Sequence, residues 1–113
     1  MAFKKERLEK IIEREISDIL FSELKNDKLK FVSITNVNLT NDLSIATVFY
    51  TIIGTPEQIT ATENDLLEAK NQIRGYLGKR LHVKKIPELR FKQDNSYEQG
   101  KRIDEILKNL EKK

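Results

Sequence analysis

The sequence predicts an α+β fold in a single domain spanning residues 1–113, with its elements in the order α-β-β-α-β-α. Three observations predict it. Apolar residues recur at helical spacing over 3–25 and again over 60–81. Between them, residues 31–53 carry no charge except Asp42 and are rich in β-branched and aromatic side chains. After Pro87, Glu88-Leu89-Arg90-Phe91-Lys92 alternates polar and apolar. A length of 113 residues is ordinary for one domain. The expected architecture is a three-stranded sheet with the helices packed on one face.

The first helix rests on Leu8, Ile11, Ile12, Ile16, Ile19, Leu20 and Leu24, which recur every three or four residues with Glu15 as a charged interruption. Asn26-Asp27-Lys28 ends it as a turn. Phe31 to Leu39 alternates as a strand, but its apolar phase slips between Ile34 and Val37. A one-residue slip would exchange the two faces, so a β-bulge near Thr35-Asn36 is expected. Thr40-Asn41-Asp42 reads as a turn, and Ser44 to Ile53 as the second strand of a hairpin. Ser33, Thr47 and Thr51 would face outward.

Gly54-Thr55-Pro56-Glu57 breaks the strand. A helix from about Thr60 to about Leu81 follows, through Leu66, Leu67, Ile73 and Leu77. Its acidic first half and basic second half suit the helix dipole. Pro87 forces an extended entry to the third strand. Ser96 and Gln99 then form a capping-box pattern ahead of a last helix bearing Ile103, Ile106, Leu107 and Leu110.

Composition narrows the function. Hydrophobic residues make up 38% and charged residues 35%, with no cysteine, one histidine, four glycines and two prolines. Disulfides, thiolate metal sites and thiol catalysis are excluded together, and so is any site needing two imidazoles. No apolar run approaches the roughly 20 residues of a membrane helix, and the N-terminus has no signal-peptide apolar core. A cytoplasmic protein without cofactor, metal or membrane contact is expected.

The formal net charge of +3 hides a strong segregation. Residues 70–92 hold eight Lys or Arg against Glu88 alone, +7, while the rest holds 13 basic against 17 acidic residues, −4. Residues 55–69 carry Glu57, Glu63, Asp65 and Glu68 and no base. Such polarity attracts a polyanion to one side and orients its approach.

Catalytic groupings are thin. His82 sits among Arg80, Lys84 and Lys85, which oppose its use as a general base. Asp94 and Ser96 have structural tasks as turn and cap. No phosphate loop or dinucleotide fingerprint occurs. No enzyme and no small-molecule substrate are expected.

Gly75-Tyr76-Leu77-Gly78 is a literal Gly-x-x-Gly followed by Lys79-Arg80. In KH domains such a loop clamps a nucleic-acid backbone. Here Leu77 continues the Ile73–Leu81 stripe, so helix through 75–78 is the favoured reading. The tyrosines and phenylalanines fall mostly at core positions, with Tyr76 the exception, so no exposed aromatic cluster for stacking bases is expected.

An ordered set of motifs resembles the ribosome-binding factor A family over about residues 5–110. It comprises Ile86-Pro87-Glu88-Leu89-Arg90-Phe91, Asp94-Asn95-Ser96 and Gly100-Lys101-Arg102-Ile103-Asp104. Asp42-Leu43 before Ala46-Thr47-Val48, Gly54, Ala69 and Ile73-Arg74 add to it. The resemblance implies a KH-like fold of type II order, with a helix-kink-helix marked by Ala-x-Gly in place of the glycine loop. The matching positions are Ala69, Lys70 and Asn71. Asn71 stands where glycine is typical, and asparagine tolerates the left-handed region; Gly75 offers a rival kink. The proline often found after helix one is missing from Asp27-Lys28-Leu29, and the long charged C-terminal tail of some members is not expected.

The resemblance implies an assembly factor that binds the immature small ribosomal subunit and its ribosomal RNA. It further implies late maturation, including the 5′ end of that RNA, and importance in the cold. Lys70, Arg74, Lys79, Arg80, Lys84 and Lys85 would contact phosphates, and Asn71 and His82 would donate hydrogen bonds. Phosphate contacts position without specifying, so recognition would rest on RNA shape. The alternative is a structural ribonucleoprotein component or a protein-interaction module. Nothing in the sequence demands more than a monomer.

Overall fold

A computed structural model describes residues 2–83 and 85–94. The elements are α1 (Ala2–Ser22), a 3-10 turn (Asp27–Phe31), β1 (Val32–Leu39), β2 (Ile45–Ile52), α2 (Pro56–Glu68), α3 (Lys70–Arg80) and β3 (Glu88–Gln93). The expected last helix and its Ser96–Gln99 cap lie outside the described residues.

The apolar stripe of α1 buries Ile12, Ile16, Ile19 and Leu20 completely or nearly so. The helix ends at Ser22, short of the expected residue 25. The Asn26 side chain accepts from the Lys28 N–H at 3.0 Å and caps the 3-10 turn. This is the local side-chain bonding by which asparagine competes with helix. Leu24 and Leu29 still reach the core from either side of it.

The sheet order is β1-β2-β3, with β1 antiparallel and β3 parallel to the central β2. A parallel pair needs a crossover, which α2 and α3 supply. Ile34 faces Tyr50 and Asn36 faces Phe49, so Thr35 is the extra residue of the expected bulge. Its hydroxyl donates to Asp94 at 2.6 Å. With the phase repaired, Val32, Val37 and Leu39 all point inward.

At the hairpin tip, Asp42 Oδ1 accepts from the hydroxyls of Thr40 and Ser44, each at 2.7 Å, and from the Ser44 N–H at 3.1 Å. These bonds, the Thr40 hydroxyl foremost, hold its carboxyl down to about 2. Leu43 beside it takes φ 61°, in the left-handed region.

Helix α2 begins at Pro56, before the expected Thr60. Thr55 caps it: its hydroxyl accepts from the Gln58 N–H at 3.2 Å, and Gln58 Oε1 accepts from the Thr55 N–H at 2.8 Å. This capping box has proline at the first turn. A Cβ on Gly54 would lie 2.8 Å from that same Gln58 oxygen, so glycine makes room for the box.

The three described α-helices lie on one face of the sheet. Ile12, Ile16 and Ile19 of α1, Leu66 of α2 and Ile73 and Leu77 of α3 pack with Val37, Ala46, Val48 and Leu89 in one core. Each such valine, leucine or isoleucine contributes on the order of 1.5–3 kcal/mol when fully buried. Tyr50 is buried too, its hydroxyl donating to Glu63 at 2.7 Å. On the other face Ser33 is exposed and Thr47 and Thr51 are half-buried, as expected.

Two phenylalanines depart from the expected core placement. Phe21, beside the α1 stripe, is 65% exposed, and Phe31, which ends the 3-10 turn instead of opening β1, is 60% exposed.

Candidate nucleic-acid interface

The helical region expected as one element over 60–81 is two. It breaks at Ala69, whose φ −82° and ψ −3° leave the helical ψ near −42°. The Ala69 N–H closes α2 onto Asp65 O at 3.0 Å, and its carbonyl opens α3 by accepting from the Ile73 N–H at 2.8 Å. Asn71 is an ordinary right-handed residue of α3, because Leu43 is the only described non-glycine residue with positive φ. The left-handed route considered for Asn71 is therefore not used. Gly75 and Gly78 lie inside α3, so no glycine loop forms there.

The break also corrects the dipole argument. Glu57 in the first turn of α2 and Lys79 and Arg80 in the last turn of α3 suit their helices. At the junction, Glu68 closes α2 and Lys70 opens α3, each with the unfavourable sign. Ala69 gives α3 no side-chain cap.

Ile73 and Leu77 fix which side of α3 is buried. At about 100° per residue, Asn71, Gly75 and Gly78 form the opposite ridge. Lys70 and Lys79, about 180° apart on that count, bracket the ridge. Asn71, Lys79, His82 and Lys85 are exposed and Lys70 is half-buried. None of the described ion pairs involves any of them. Lys84 lies outside the described residues.

Arg74 and Arg80 are engaged within the fold. Arg74 donates from Nε to Pro87 O at 3.2 Å and from Nη2 to Ile86 O at 2.8 Å, tying α3 to the entry of β3. Arg80 Nη1 donates to Asp18 at 2.6 Å and Glu15 at 3.1 Å, and Nη2 to Glu23 at 3.0 Å. Its side chain is 24% exposed. This clamp ties α3 to α1. The guanidinium's hydrogen bond is the largest cause holding the Asp18 carboxyl below its ordinary value, and the same bond drives Arg80 further toward the charged form.

Two further exposed cations, Arg90 and Lys92, stand on β3. Arg90 donates to Glu88 at 2.8 Å and is the main cause lowering that carboxyl, with Lys70 and Arg74 acting in the same direction. Arg90 and Lys92 are exposed on the sheet face away from the helices. Lys79 Nζ stands 5.7 Å from the Tyr76 ring centroid, a cation–π pair the sequence reading left unassigned. Its signal was the three-residue spacing. A groove of about 370 Å³ before the break is lined by Lys25, Ala69, Gln72 and Tyr76 but also by Glu23, Asp65 and Glu68. Those carboxylates give this groove a charge character opposite to that of the ridge of α3.

Among the described residues no cluster of His, Asp and Glu is arranged to hold a metal, and no helix is long and apolar enough to cross a membrane.

Comparison with known proteins places this geometry. The family model described as Ribosome-binding factor A matches residues 4–107. A Staphylococcus saprophyticus relative of that name is 40% identical over 113 residues, covering 100% of this chain and 99% of its own. The solution structure of a Thermotoga maritima protein described as a ribosome-binding factor A superposes with TM-score 0.71 at 32% identity, covering 85% of this chain and 92% of that one. A homology model of Thermus thermophilus ribosome-binding factor A, fitted into a cryo-electron-microscopy map of a 30S complex, superposes with TM-score 0.67 over 81% of this chain and 97% of that one. At 21% identity that last likeness is one of fold. The α+β architecture is thus KH-like, with the helix break at Ala69 where a glycine loop would stand, and the chain belongs to the ribosome-binding factor A family.

Proposed function

We propose that this chain is a non-catalytic, cytoplasmic assembly factor that binds the immature small ribosomal subunit through its ribosomal RNA. In this reading it acts as a monomeric single domain in late maturation, including processing of the RNA 5′ end, and matters most in the cold. The observation that carries the reading is the ridge of α3. Lys70, Asn71 and Lys79 surround its two glycines, and His82 and Lys85 follow it, all without a described ion pair. Lys84 joins them by sequence. Arg74 and Arg80 serve as positioning residues that hold the ridge against β3 and α1.

The chemistry follows from that division. Lysine ammoniums are point charges that follow a phosphate backbone without fixing its geometry. Phosphate contacts alone do not read sequence, so the folded shape of the RNA selects the site. The name of the family and the 30S complex of the Thermus relative support the small subunit as that RNA's context.

The test is a binding isotherm on purified immature subunits, repeated across salt concentrations, with Lys70, Lys79, Lys84 and Lys85 changed to glutamine in turn and together. Each lost phosphate contact should flatten the log–log slope by about 0.7–0.9. An unchanged affinity and slope in the fourfold variant would remove the ridge from the interface. Sedimentation of extracts checks the role: an assembly factor follows free or immature small subunits, whereas a structural component follows mature ribosomes.

A further inference from the structure

Among the described residues, no helix packs on the second face of the sheet. Along β2 the inward series Ala46, Val48, Tyr50 and Ile52 is buried, while Thr47, Phe49 and Thr51 of the outward series are half-buried. Phe49 differs from the other two aromatic residues of the strands. Tyr50 belongs to the core and Phe91 packs against it, and Phe49 does neither.

The strand register sets the neighbours of that ring. The bulge at Thr35 brings Asn36 of β1 opposite Phe49, and Lys92 of β3 pairs with Phe49 from the other side. Neighbouring strands lie about 4.8 Å apart, so a carboxamide and an ammonium flank one aromatic ring on one face. The next row repeats the order with Asn38, Thr47 and Arg90. Asn36, Asn38, Arg90 and Lys92 are all exposed.

The charges decide what kind of partner fits. The carboxylates of β3 and its end are engaged: Glu88 accepts from Arg90 at 2.8 Å, and Asp94 accepts from the Thr35 hydroxyl at 2.6 Å. Lys92 enters none of the described ion pairs. A protein partner would need a contiguous apolar patch at the centre of the contact, which Thr47 and Thr51 interrupt. An unpaired nucleotide needs an aromatic face to stack on, a donor and acceptor for its base edge and a cation for its phosphate. Phe49, Asn36 and Lys92 supply these three in one row.

We infer that the open face of the sheet binds an unpaired stretch of RNA, with one base stacked on Phe49, its edge met by Asn36, and the neighbouring phosphates held by Lys92 and Arg90. This contact rests on the RNA-binding reading above and adds to it a preference for single strands. The lysine ridge of α3 follows any phosphate backbone, whereas a base paired within a duplex has no free face to lay on Phe49.

The chain has no tryptophan, so Phe49→Trp places a single indole at the centre of the face and keeps an aromatic surface there. The full chain carrying it is titrated with an unstructured oligoribonucleotide of about ten nucleotides, within the span of one such site. Stacking should quench the indole emission saturably, and the duplex of the same oligonucleotide should not. Phe49→Leu removes the ring and should weaken binding of the labelled oligonucleotide, followed by anisotropy, by about fivefold or more. Lys92→Gln, an exposed change that leaves thermal stability alone, should weaken it too and flatten the log–log salt slope by about 0.7. Emission unchanged by the single strand, or equal quenching by the duplex or by inorganic polyphosphate, would overturn the inference. So would wild-type oligonucleotide affinity in both Phe49→Leu and Lys92→Gln. Full shielding of the indole from acrylamide in the free protein would show the face already covered and overturn it as well. Subunit binding without quenching by the oligonucleotide overturns this contact alone, whereas no binding to subunits or to any RNA overturns the assembly-factor reading and this contact with it.

Discussion

Replacing Gly75 with alanine should stabilise the protein. Gly75 is exposed in the middle of α3, has no positive φ, and a Cβ built on it meets nothing within 4 Å. Alanine in a helix interior is favoured over glycine by about 0.8–1 kcal/mol, part of it through the unfolded chain. That corresponds to a rise in Tm of about 4–8 °C for a domain near this size, or about 0.5 M in urea midpoint at a slope near 2 kcal/mol/M. Gly78→Ala is the internal control. Its Cβ would stand 3.3 Å from Ile86 Cγ1, so the helix gain is offset by a tight contact and the net change should be near zero. The assay is thermal and urea unfolding of both variants, with subunit affinity measured beside them. If residues 75–78 instead formed a glycine loop clamping the RNA backbone, Gly75→Ala would destabilise the fold and cut binding sharply. A fall in Tm for Gly75→Ala, or a tenfold loss of affinity, would refute the continuous helix.

Arg80→Met should lower Tm because Glu15, Asp18 and Glu23 lose their shared partner, and the difference should shrink as salt rises. Tyr50→Phe removes the buried hydroxyl's bond to Glu63 and should cost about 1 kcal/mol by urea unfolding. The Asp42 carboxyl should titrate near 2 when followed by NMR. Its folded pKa is depressed, so its stabilising effect is full above its ordinary 3.8 and is lost as pH falls from there toward about 2. The Tm difference between the wild type and Asp42→Ala should therefore be full at pH 6 and shrink as pH falls through about 2.

Much of the fold was legible because hydrophobic phase is a local signal. The slip between Ile34 and Val37 announced the bulge at Thr35, since only an extra residue returns both halves of β1 to the core. The start of α2 was legible too, in Thr55-Pro56-x-Gln58, but the glycine and proline there were read only as a strand breaker. The helix break was not visible in the pattern. Leu66, Ile73 and Leu77 keep helical spacing across Ala69, and alanine is the strongest helix former. Only the family resemblance pointed to that place. Phe21, expected in the core with most of the other aromatics, falls outside the α1 stripe, and that helical phase is the signal of its exposure. Phe31 was misread because alternation alone does not show where a turn ends and a strand begins.

The candidate site was legible as charge and illegible as geometry. Residues 70–92 hold eight bases, yet Arg80 meets carboxylates 57 to 65 positions away in the chain, and no local pattern encodes that meeting. The division it produces is chemical. In the described part of the segment, the arginines Arg74, Arg80 and Arg90 make defined hydrogen bonds to carbonyls or carboxylates, while Lys70, Lys79 and Lys85 make no described ion pair. Arginine's planar fork suits fixed bidentate contacts, and lysine's single ammonium on a flexible stem suits a mobile polyanion. In the proposed function, a frame of arginines carrying a fringe of lysines would bind phosphate where the fold dictates, and would leave the choice of RNA to the shape that can follow a ridge held between two other elements.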